Sequence, residues 1–136
     1  MSLRPVDAVL FDFSGTLLAV EPPEQWLRRA ATPLGLSFTT AESAELVERL
    51  LRAGRPGGPI PSDLTGTFVE AYATRDLTPE LHRDAYTALM TRADLPDPRL
   101  ATALYDATFP PEAWVPYPDA APVPAALRER VSGWPW

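Results

Sequence analysis

At 136 residues with 46% apolar side chains, the chain is long enough for one ordinary domain with a buried core. A net charge of −6 and a pI near 4.7 withhold the electrostatic footprint that nucleic acid requires, and the twelve basic residues, all Arg and none Lys, are scattered rather than massed. The absence of Cys excludes disulfides, thiolate zinc sites and a thiol nucleophile; no stretch reaches the ~20 apolar residues of a membrane span, and the N-terminus lacks a secretory pattern, so a cytoplasmic protein with no nucleic-acid or membrane partner is expected.

The first predicted element is a short strand. Val6 to Phe11 is apolar except for Asp7 and lies between Pro5 and Ser14-Gly15, which suits a strand of a parallel sheet covered on both faces. Asp12 falls at its carboxyl end, where open α/β sheets place their ligand sites. Helices follow. Pro22-Pro23 sits where a first turn tolerates proline, and Trp26, Leu27, Ala30, Ala31 and Leu34 recur at helical spacing up to Gly35. Thr39 with Glu42 forms a capping-box pattern ahead of the apolar stripe Ala44, Val47, Leu50 and Leu51, which ends before Gly54. Residues 54–61 are rich in Gly and Pro and read as a loop. A third helix is expected from about Ser62 to Thr74.

Thr78-Pro79 and Asp97-Pro98 repeat one device, a capping residue followed by Pro at the first helical position, and start helices four and five. A sixth runs from the region of Tyr117-Pro118 through Leu127 to Val131, with Pro124 disturbing its first turns. One strand, no crossover unit, no internal repeat and no heptad run are found. His82, beside Arg83 and Asp84, is assigned to a solvated face. Glu21 and Glu24 are assigned to the favourable field of a helix N-terminus. Trp26, Phe68, Tyr72, Tyr86 and Trp114 are taken as core or junction aromatics, and Trp134 and Trp136 as a sticky tail or a contact with a partner chain.

The run Phe11-Asp12-Phe13-Ser14-Gly15-Thr16-Leu17 resembles motif I of the haloacid dehalogenase-like (HAD) hydrolase superfamily, usually written Asp-x-Asp-Gly-Thr with apolar flanks. The resemblance implies an α/β fold with a Rossmann-like core, of which this chain, mostly α, would hold one core strand and a helical cap bundle, the core sheet being incomplete. The expected division is 1–20 for the first strand and nucleophile loop, 21–112 for the helical cap, and 113–136 for the return linker and start of a core helix. It further implies Asp12 as the nucleophile, with Mg²⁺ shared between Asp12 and the main-chain carbonyl of Ser14 and screening the carboxylate from a phosphate dianion. Thr16 would bond near the phosphoryl oxygens or orient the loop, and Gly15 would let substrate approach the backbone.

Ser14 departs from the pattern. Phosphatases of the family carry a second Asp there as general acid and base, and a hydroxyl of ordinary acidity does neither task well. Members of the family that break carbon–halogen or carbon–phosphorus bonds, or that hold a phospho-aspartate for longer, also place other residues here, and a plain ST-turn or lost chemistry suits Ser14 equally. The family's Lys is missing, and Arg130, a planar fork, is not its equivalent. Asp119 lies too early to be the second acidic pair. The ending Val131 to Trp136 does not resemble the second strand, so truncation or a changed reading frame near residue 131 is expected. The expected function is hydrolysis of a small phosphorylated or halogenated molecule by an incomplete or weakly active phosphatase- or dehalogenase-type enzyme. The alternatives are a non-catalytic helical binding module that self-associates, or one half of a split enzyme completed by a partner chain.

Overall fold

A computed structural model describes residues 8–131. The order is β1 (Leu18–Val20), α1 (Pro23–Ala31), α2 (Thr40–Ala53), α3 (Thr67–Thr74), α4 (Pro79–Thr91), α5 (Arg99–Asp106), β2 (Trp114–Pro116) and α6 (Pro122–Val131). Short 3₁₀ turns at Thr32–Leu34, Arg75–Leu77 and Pro111–Ala113 complete the described elements. The fold is mostly helical with a small sheet, and none of the described helices is long and apolar enough to cross a membrane.

Local chemistry sets the helix ends. At α2, Thr39 Oγ1 accepts the Glu42 N–H at 3.3 Å while Glu42 Oε2 accepts the Thr39 N–H at 2.8 Å, so the capping box closes in both directions. At α4, Thr78 Oγ1 accepts the Leu81 N–H at 3.2 Å, and Pro79 takes the first helical position, where its missing donor costs nothing. At α5, Asp97 Oδ1 accepts the Arg99 N–H at 2.9 Å. Here Pro98 occupies the cap position, so the helix begins one residue later than its sequence signal. Pro122 opens α6, which places Pro124 in its first turn, where proline is tolerated. The third helix is shorter than expected: Gly66 adopts φ +58° and holds its start back to Thr67.

The apolar stripes converge on one core. α1 packs on α2 and α5, while α4 packs on α3 and α5 and also meets α2. Trp26, Leu27, Leu50, Leu89, Met90, Leu100 and Leu104 are fully buried there, each contributing about 1.5–3 kcal/mol or more by leaving water. Trp26, at 0% exposure, keeps its polar atom satisfied by donating from Nε1 to the Leu104 carbonyl at 2.8 Å and to Thr108 Oγ1 at 3.1 Å.

The sheet differs from the expectation. The strand expected over Val6–Phe11 lies partly outside the described residues, and its described part, from Ala8 to Phe11, forms no strand. Val9, Leu10 and Phe11 are exposed, Leu10 at 97%. A strand is completed by its partner, and among the described residues none runs beside this segment. Pairing instead joins β1 to β2, antiparallel, with Leu18 opposite Pro116, Ala19 opposite Val115 and Val20 opposite Trp114. The pair is tied at both ends, by Tyr117 N–H to the Leu17 carbonyl at 3.0 Å and by Glu21 N–H to the Ala113 carbonyl at 2.7 Å. Trp134 and Trp136 lie outside the described residues.

Candidate functional site

The turn from Phe13 to Leu18 folds back on itself. Leu17 and Leu18 N–H both donate to the Phe13 carbonyl at 3.1 Å, and Gly15 N–H donates to the Leu18 carbonyl at 2.8 Å. The reversal needs the left-handed backbone of Gly15, φ +80°, which a side chain would strain. Within this turn Thr16 Oγ1 donates to Asp12 Oδ2 at 3.3 Å, leaving Oδ1 without a partner among the described residues. Asp12, Ser14, Gly15 and Thr16 are all exposed. The Phe13 ring stands edge-on to Trp114 of β2, centroids 4.8 Å apart, which fixes the turn against the sheet.

A second loop meets the turn. Arg55-Pro56-Gly57-Gly58 has proline second, glycine third with φ +68°, and the Gly58 N–H bonded to the Arg55 carbonyl at 3.1 Å, the signature of a type II turn. Gly57 approaches so closely that a Cβ there would stand 2.8 Å from Val20 Cγ1 and 3.5 Å from Ser14 Oγ. The loop read from the sequence at residues 54–61 is therefore a part of the helical bundle that closely approaches the Asp12 turn.

Metal donors at the turn are few. Mg²⁺ requires a near-octahedral oxygen shell and is commonly held by one or two carboxylates, with substrate phosphates and water completing it. Asp12 is the carboxylate of this turn and is exposed. No group of three or more His, Asp or Glu that could cage a metal occurs among the described residues.

Three residues stand in environments that their sequence context did not announce. Glu21, read as a helix-dipole residue, is 2% exposed and holds Arg29. Glu24 does lie exposed in the first turn of α1. His82, read as solvated, is half-buried: its Nδ1 shares a 2.8 Å hydrogen bond with Tyr105 Oη, and its ring packs against Tyr86 and Phe109. Burial pushes its pKa down, with Arg75 adding to the effect and Asp76 opposing it. The solvated face expected for His82 is instead covered by Tyr105 at the end of α5, by Phe109 just beyond it and by Tyr86 one turn along α4.

Arg55 is the third. It is 3% exposed, with its guanidinium carbon 4.3 Å from the centroid of the Trp26 ring. Its Nε has no hydrogen-bond partner, and no carboxylate stands within ion-pair distance among the described residues. The available signal was one cation in an otherwise uncharged stretch, residues 54–61.

No family model, curated protein or solved structure matches this chain.

Proposed function

We propose that the chain carries the nucleophile loop and helical cap of a HAD-like hydrolase, with Asp12 as the attacking carboxylate. The observation that carries this reading is the Thr16–Asp12 hydrogen bond across the Gly15 turn, a turn whose Ser14 lies close to the Gly57 loop of the helical bundle. Thr16 holds one carboxylate oxygen, and the other, without a partner among the described residues, is the one to attack. Asp12 attacks phosphorus, the bond from phosphorus to the leaving oxygen breaks, and an aspartyl phosphate remains on the protein. Mg²⁺ would be held by Asp12 and the Ser14 carbonyl, and it would supply screening of the two negative charges.

Ser14 separates the two halves of the reaction. A leaving group that needs no proton can depart without a general acid, whereas the second half requires a base to activate water, and Ser14 is a poor one. The covalent intermediate therefore accumulates.

Acetyl phosphate with Mg²⁺ tests this, since acetate leaves unprotonated. The expected result is a phosphate-sized mass increase located on Asp12 and absent from Asp12→Asn. A folded wild-type protein that remains unlabelled overturns the proposal. The exposure of Asp12, Ser14, Gly15 and Thr16 and the absence of Lys favour a second reading, a binding module in which the helical cap has outlived the chemistry.

A further inference from the structure

A cleft of about 610 Å³ opens on the bundle side of the Gly57 loop. Its wall is almost wholly apolar, formed by Val20, Pro22, Pro23, Leu51, Pro59 and Val115. Among the described residues, Glu21 and Arg55 are the two charged side chains that line it. Glu21 is already neutralised by its two hydrogen bonds from Arg29, so the cluster of Glu21, Arg29 and Arg55 carries one positive charge in excess. That excess resides on Arg55, buried over Trp26 with an unpartnered Nε.

A buried cation without a hydrogen-bonded counter-charge is costly, and native structures rarely leave one unless something else completes it. Cation–π contact with Trp26 offsets part of that cost but supplies no acceptor for Nε–H. The Glu21 charge acts on Arg55 from beyond ion-pair distance, while burial drives its pKa down. An acceptor bearing one negative charge, on a body that matches hydrocarbon walls, satisfies both halves of the cleft.

We infer that this cleft binds a small monocarboxylate with an apolar body, its carboxylate taken by the Arg55 guanidinium and its hydrocarbon lying along Val20, Leu51 and Val115. The choice of carboxylate over phosphate follows from charge. One excess cation balances one negative charge, and the remaining wall offers almost nothing to a dianion's other oxygens. The site is distinct from Asp12 and does not rest on nucleophilic chemistry there.

Octanoate titrated into the full chain, with octan-1-ol and inorganic phosphate as comparisons, tests the assignment. Calorimetry is expected to give octanoate binding that Arg55→Met weakens about 10- to 100-fold, the range of a charge-assisted hydrogen bond. The Arg55 Nε–H resonance of the wild-type protein is expected to move with octanoate and to stay in place with octan-1-ol. This second measurement needs no variant and stands even if Arg55→Met fails to fold. Octanoate that leaves the Arg55 resonance unmoved, octan-1-ol that binds equally well, or phosphate that moves the resonance while octanoate does not would each overturn the inference.

Discussion

Glu21 accepts two hydrogen bonds from Arg29, at Oε1 from Nε over 2.9 Å and at Oε2 from Nη2 over 3.0 Å, with its carboxylate side chain only 1% exposed. The same Nη2 also donates to the Glu112 carbonyl at 3.1 Å. One guanidinium thus ties the entry to α1 to the segment that leaves the bundle. Removing it strands a buried charge, which is more costly than lacking the pair altogether. Arg29→Met should therefore lower stability by about 3 kcal/mol, and Glu21→Met combined with Arg29→Met should recover a large part of that loss. Urea unfolding of the two variants measures the difference; equal losses would remove the buried-charge explanation.

Two glycines with positive φ separate backbone strain from steric contact. Gly15 has open space where a Cβ would project, while a Cβ on Gly57 would collide with Val20 at 2.8 Å. Gly15→Ala should cost about 1 kcal/mol, from the left-handed backbone alone. Gly57→Ala should cost at least about 1 kcal/mol more, because Val20 is held by the sheet and cannot retreat freely. Thermal or urea unfolding ranks the pair.

The protein has one histidine, so its titration can be isolated. Burial holds the folded-state pKa of His82 below the ordinary 6.5. The unfolded chain consequently binds more protons than the folded one from 6.5 down to that lowered value. The stability contribution is complete above pH 6.5 and is lost as the pH falls through the window. His82→Gln should flatten this part of the stability profile and leave the steeper loss near the carboxylate range intact. Urea midpoints at closely spaced pH values check it, and an unchanged profile in the variant would assign the slope to other groups.

If Ser14 is what limits turnover, restoring a carboxyl group there should release it. The wild-type chain is expected to hydrolyse p-nitrophenyl phosphate with Mg²⁺ at close to the uncatalysed rate. Ser14→Asp should shorten the lifetime of the aspartyl phosphate at least about tenfold, toward the range that general acid–base groups contribute. Intact-mass measurement of the labelled protein against time provides the rate. A lifetime independent of residue 14 would sink the role assigned to it.

The helical bundle was largely legible because its signals are local. Thr39 and Glu42 sit three residues apart and close a capping box, and Thr78-Pro79 starts a helix, each irrespective of distant residues. The stripe positions Val47 and Leu50 entered the core as their spacing required. The sheet was not legible in the same way. Whether Val6–Phe11 or Leu18–Val20 becomes a strand depends on where Trp114–Pro116 arrives, almost a hundred residues later along the chain. The same distinction divides the site. Gly15 and Thr16 announced their turn locally, whereas Arg55 gained its meaning only when Trp26 and Glu21 closed around it.

The β1–β2 ladder brings the bundle's two connections side by side, since Glu21 N–H reaches the Ala113 carbonyl directly. Residues 21 and 113 are therefore adjacent in space, and a bridge of a few residues between them would close the helical bundle into a ring. Such closure costs little chain entropy. The bundle can then be reopened at an exposed loop tip as a circular permutant, or lifted out and grafted between neighbouring strands of another scaffold.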